Sequence, residues 1–110
     1  MYENINPPKD FRQAASERGA KTALVMNQLA GIPYDKAITM ILYSTFGQLL
    51  RHEETKAWFS PEYWNYVSIC ENYGLEVKEP KEYYNFKDLR LLTERFRKRF
   101  FEDEEEIATE

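Results

Sequence analysis

From Asp10 onward the apolar positions fall at helical intervals. Phe11, Ala15, Thr22, Met26 and Leu29 follow one another at near-helical spacing, and Asp10 stands where it can cap the N-terminus. The same segment carries a row of small side chains, Ala14, Ser16, Gly19, Ala20 and Ala23. Glycine inside a helix costs about 1 kcal/mol relative to alanine. A face that lets a neighbouring backbone approach closely is a reason to keep Gly19. Gly31-Ile32-Pro33 then breaks the pattern, with glycine at a helix end and proline at the first position of the next helix. In the second helix, Ala37, Ile38, Met40, Ile41, Leu42, Tyr43, Phe46, Leu49 and Leu50 leave little polar face. A helix apolar nearly all round is buried on several sides. It is expected to be the central helix of the core, or part of an oligomer interface.

After the polar run Arg51–Lys56, Ser60-Pro61 reads as the cap and first position of a third helix, which carries Tyr63, Trp64, Tyr66, Val67, Ile69, Cys70 and Tyr73 and stops at Gly74. Leu75 beyond that glycine suits a Schellman ending. Leu75 to Tyr84, with Pro80 inside, is expected as a linker or at most a short edge strand at Leu75–Lys78. Asn85-Phe86-Lys87-Asp88 is a capping signature, and Phe86, Leu89, Thr93, Phe96 and Phe100 recur at three- and four-residue steps through a last helix. The expected fold is therefore all-α: a compact bundle of about four helices at 10–30, 34–51, 60–73 and 86–101. Residues 10–101 form one helical domain, 1–9 a flexible arm and 102–110 an acidic tail.

A chain of 110 residues suits one domain that can bury a core without disulfides or metals. Cys70 is the only cysteine, which excludes an intrachain disulfide and a cysteine-based zinc site and favours a reducing compartment. Neither a signal-peptide pattern near Met1 nor a membrane-length apolar run is present, because Ala37–Leu50 is only 14 residues. A cytoplasmic protein with no membrane association is expected. The net charge of −4 hides an asymmetry: residues 1–101 sum to +2, while Glu102, Asp103, Glu104, Glu105, Glu106 and Glu110 contribute −6. The acidity belongs to the tail, so the overall charge does not argue against a polyanion partner for the body.

Candidate chemistry is sparse. His52-Glu53 hints at a zinc protease, but the required second histidine would stand at position 56, which is Lys56. Cys70 falls on the face of Tyr63, Val67 and Tyr73, an apolar setting that raises a thiol pKa and leaves it inert. The four glycines are too widely spaced for a phosphate loop, and no carboxylate cluster has metal-ligand spacing. No catalytic residue, cofactor or metal is expected. Leu29-Ala30-Gly31-Ile32-Pro33 followed by Ala37-Ile38 resembles the loop of ubiquitin-associated three-helix domains, without the methionine that usually precedes the glycine. That resemblance covers about ten residues, 29–38, and carries no function over.

Two surfaces remain as partner-binding candidates. Aromatic residues crowd the stretch from Trp58 to Tyr84, and such side chains build both cores and interfaces. Tyr83 and Tyr84 are adjacent, so they cannot both face inward on a helix, and one is expected to offer surface contact. In Arg95-Phe96-Arg97-Lys98-Arg99-Phe100-Phe101, Phe96 and Phe100 share one helix face, while Arg97, Lys98 and Phe101 project elsewhere. A basic face binds phosphates or an acidic protein. Glu102 and Asp103, one turn away, would instead neutralise it in place. The expected function is a non-enzymatic interaction protein, such as a small regulator, inhibitor or adaptor subunit, contacting another protein or itself as a homo-oligomer. Nucleic-acid binding by the basic face, held in check by the tail, is the alternative.

Overall fold

The computed structural model describes residues 8–102, so the arm and the acidic tail lie almost wholly outside it. Five α-helices follow in order: α1 Phe11–Ala30, α2 Tyr34–Leu42, α3 Thr45–Leu50, α4 Glu62–Tyr73 and α5 Leu89–Arg97. Two short 3-10 turns, Glu53–Thr55 and Ala57–Phe59, join α3 to α4, and a π-turn at Lys98–Glu102 extends α5. The fold is all-α, with no strand among the described residues.

Helix α1 begins as its sequence indicates: the Gln13 N–H donates to Asp10 Oδ1 at 3.1 Å. It ends at Gly31, whose φ of 69° is left-handed and whose N–H donates to the Asn27 carbonyl at 2.9 Å. Between these caps, Ala15, Ser16, Gly19, Ala20, Thr22, Ala23, Leu24, Val25 and Met26 are buried. This helix packs against α2, α4 and α5, and it is the centre of the molecule. The small face serves a side chain rather than a backbone. A Cβ on Gly19 would lie 2.1 Å from Cζ of Phe96, so the ring rests directly on the glycine. Phe100 stacks on Phe96 at 5.0 Å between centroids, and both rings are fully buried.

The expected second helix is two helices. Ser44 interrupts it, with its hydroxyl accepting the Gly47 N–H at 3.0 Å and donating to the Ile41 carbonyl at 2.8 Å. That is an N-cap for α3, and it turns the chain sharply. Gly47 permits the turn, since a Cβ there would sit 1.8 Å from the Ile41 carbonyl oxygen. The apolar residues of 34–51 are therefore divided between two short helices. Ile38, Ile41, Phe46 and Leu50 enter the core, while Tyr43 is left 77% exposed and Leu49 46% exposed. The central position passes to α1 because only α1 is long enough to meet all the others.

Smaller shifts have local causes. Ser60 does not cap α4; its hydroxyl donates to the Ala57 carbonyl at 2.7 Å and is within hydrogen-bond distance of Asn65 Oδ1 at 2.8 Å. Asn65 in turn donates to the Thr22 hydroxyl at 3.3 Å, which ties α4 to α1. Helix α4 stops at Gly74, φ 65°, and the Leu75 N–H reaches back to the Cys70 carbonyl at 2.9 Å, the expected Schellman bond. Helix α5 starts at Leu89, after a turn in which the Asn85 side chain accepts the Lys87 N–H at 2.9 Å and the Asn85 main chain is bonded in both directions to the Gln28 side chain at 2.8 and 2.9 Å.

Gly19→Ala is expected to destabilise the fold by about 2 kcal/mol, because overpacking against a buried, stacked ring exceeds the gain in helix propensity. In a Phe96→Leu background the same change should cost less, and thermal unfolding of the four proteins measures the coupling.

Candidate functional site

Among the described residues, a concavity opens where the α1–α2 corner meets the chain leaving α4. It encloses about 450 Å³ and is lined by Ala30, Ile32, Lys36, Met40, Tyr73, Leu75, Glu76 and Lys78. Three separate ties hold its walls. The Tyr73 hydroxyl donates to the Met40 carbonyl at 2.9 Å, which joins the end of α4 to α2. Beside it, the Thr45 N–H donates to Asn72 Oδ1 at 2.8 Å. The third wall is the strap that follows Gly74. There the Lys78 N–H donates to the Tyr66 hydroxyl and the Tyr63 hydroxyl donates to the Lys78 carbonyl, both at 2.9 Å.

These ties keep apolar side chains at the surface. Tyr73, at the end of α4, is 40% exposed, and Leu75 and Val77, on the non-helical strap, are 42% and 40% exposed. The rim is charged, with Lys78 Nζ 3.5 Å from Glu76 Oε2 and an exposed Lys36 opposite on α2. Beneath the strap, burial pushes the Tyr66 hydroxyl above its ordinary pKa against the opposing effect of the Lys78 N–H. Burial likewise raises the Cys70 thiol, with the Tyr66 hydroxyl acting the other way. Cys70 is 2% exposed and protonated at neutral pH, with no activating base beside it.

The aromatic pair divides. Tyr83 is 79% exposed, whereas Tyr84 packs on the core and its hydroxyl accepts the Lys81 N–H at 3.3 Å. In the basic segment, Arg95 pairs with the Asp35 carboxylate and lies over the Tyr34 ring, 5.3 Å from its centroid. Arg99 donates to the Asp35 carbonyl at 2.8 Å and to the Thr39 hydroxyl at 2.7 Å. Arg97 turns the other way, to Gln13 Oε1 at 2.9 Å and Asp10 Oδ2 at 3.4 Å. The arginines thus clamp α5 to α1 and α2, and Lys98 is the exposed cation left between them. Tyr34, packed beneath Arg95, donates to the Leu92 carbonyl at 2.7 Å, and its burial pushes the hydroxyl far above the tyrosine range.

Phe101 is not a surface residue. It is 7% exposed, lies edge-on to Phe11 at 6.3 Å and to Phe100 at 4.9 Å, and carries Arg12 over its ring at 5.3 Å. An α-helix would have turned it away from the Phe96 and Phe100 face. The π-turn at Lys98–Glu102 widens the helix so that consecutive phenylalanines both point inward. His52 sits at the surface, 3.8 Å from Glu54. Among the described residues, no group of three or more His, Cys, Asp and Glu is placed to hold a metal ion. No described helix is long and apolar enough to cross a membrane. Comparison with protein-family models, with curated proteins and with solved structures finds no match for this chain.

The groove escaped sequence reasoning because its lining comes from residues 30–40 and 73–78, which are local only in space. The partners of the arginines escaped for the same reason.

Asp10 links the α1 cap to Arg97, and the Gln13 N–H, aided by the Arg97 charge, holds its carboxyl below the ordinary value of 3.8. A depressed folded pKa gives stability above 3.8 that is lost as pH falls through the lower folded value. Asp10→Ala should therefore melt at a lower temperature than the parent at pH 7. Titrating both proteins into acid should show that gap narrowing below pH 3.8.

Proposed function

We propose that this chain is a non-enzymatic protein–protein interaction module, a small regulator, inhibitor or adaptor subunit, which receives its partner at the groove beside the strap. The supporting observation is a firmly tied concavity with an apolar floor, bordered by Tyr73 and Leu75 at 40% and 42% exposure. Apolar side chains fixed at a surface lose less entropy on binding than mobile ones, and covering them removes area from water. The charged rim of Lys36, Glu76 and Lys78 favours a partner with polar groups around an apolar centre.

The described polar groups support this reading more than catalysis. His52 is solvated, Cys70 is buried and protonated, and Arg95, Arg97 and Arg99 have protein acceptors. Polyanion binding by α5 would first require Arg95, Arg97 and Arg99 to leave Asp35, Gln13 and Thr39.

Affinity capture from a native lysate, with and without nuclease, tests the assignment when the parent and Ile32→Ser are compared. A protein partner that survives nuclease and is recovered several-fold less with Ile32→Ser is the expected result. A partner released by nuclease would transfer the function to nucleic-acid binding.

A further inference from the structure

The strap between Gly74 and Pro80 has an edge of main chain, centred on Val77, without partners among the described residues. On the α4 side, the N–H and the carbonyl of Lys78 are both taken, by Tyr66 and Tyr63 at 2.9 Å. The Cys70 thiol approaches the Glu76 carbonyl from that same side, at 4.0 Å. Both main-chain groups of one residue share an edge in extended backbone, and the groups of its neighbours then point to the opposite edge. Side-chain spacing agrees. The side chains of Glu76 and Lys78, two apart, meet at 3.5 Å, as residues on one face of an extended segment do. Val77 therefore turns its N–H and carbonyl away from α4, and neither is bonded to any described residue.

We infer that this edge pairs with the same edge of a second copy of the chain, antiparallel about a two-fold axis at Val77, forming an intermolecular two-stranded ribbon. The inference rests on the interaction reading above and names its partner. The strap reads Leu75-Glu76-Val77-Lys78-Glu79, and around Val77 its charges complement themselves. With Val77 opposite Val77, the two residues exchange both main-chain bonds. Glu76 then stands opposite Lys78, and Lys78 opposite Glu76. These flanking positions are the close ones in an antiparallel pair, with Cα atoms about 4.5 Å apart, so the charges act at short range.

The same pattern excludes other registers. Sliding the pair two residues one way sets Glu76 against Glu76, and sliding it the other way sets Lys78 against Lys78. An in-register parallel pairing opposes like charges at both positions. Gly74, with its left-handed φ of 65°, closes one end of the ribbon, and Pro80, which has no N–H, closes the other. Two strands of this length are marginal alone. Leu75 and Val77, 42% and 40% exposed, supply apolar cover, and the result is a reversible dimer.

Sedimentation velocity over a concentration series at low salt tests the ribbon. The parent mass should rise from 13.2 kDa towards twice that value as concentration increases. Val77→Pro removes an N–H that bonds to no described residue, so helical circular dichroism should be unchanged while self-association weakens about tenfold or more. Lys78→Glu sets Glu opposite Glu and should dissociate the dimer. Glu76→Lys combined with Lys78→Glu restores unlike pairs and should restore it. A monomer at every concentration, a dimer indifferent to Val77→Pro, or charge reversals without rescue would each overturn the ribbon. Capture with Ile32→Ser reads the broader interaction assignment independently, so either can fail without the other.

Discussion

The seating of Phe96 on Gly19 is the contact from which the rest of the architecture follows. It sets how closely α5 approaches α1, because the ring occupies the space a Cβ would fill, 2.1 Å away. Once α5 lies there, Phe100 stacks behind Phe96 and the π-turn brings Phe101 against Phe11. The same approach carries Arg95 and Arg99 to α2 and Arg97 to the N-cap of α1. A sequence feature that resembles a basic surface patch thereby becomes a set of clamps across helices. Partly exposed ion pairs add little energy each, and their effect is to fix the orientation of a helix already placed by apolar packing.

A second constraint comes from tyrosine hydroxyls, which this protein uses in place of secondary structure. Residues 75–81 form no helix and no strand, yet Tyr63 and Tyr66 hold Lys78, and Tyr84 holds Lys81. Tyr66 is fully buried, so its hydroxyl is a fixed point set by the core. The strap is consequently held along one edge and open along the other. It forms one wall of the groove, with Tyr73 tying down the next wall through the Met40 carbonyl. Rigidity at an exposed apolar surface and open main-chain groups beside it have a single origin, the ring of aromatic residues on α4.

Much of the helical framework could be read from residue order because its causes are local. Asp10 accepts an N–H three residues on, Gly31 and Gly74 adopt left-handed backbone, and apolar spacing marks the faces of α1, α4 and α5. The break at Ser44 was also present, as a serine three residues before a glycine. It was hidden by a run of apolar residues that suits one long helix equally well. Only the Ile41 carbonyl, pressed against Gly47, shows why the chain turns there. Of the surface candidates, Tyr83 lies outward on a segment that is not helical, while Phe101 lies inward because a change of helix pitch moved it.

Residue order alone determined that the chain is helical, where most of its helices start and stop, and that its acidity lies beyond the body. Those properties depend on neighbours within a few residues, through backbone geometry, capping and periodicity. Tertiary structure alone decided which helix is central, which charges are paired and where a groove opens. Each of these depends on residues far apart in the chain meeting in space, as Gly19 meets Phe96 and Tyr66 meets Lys78, and no local rule encodes such a meeting.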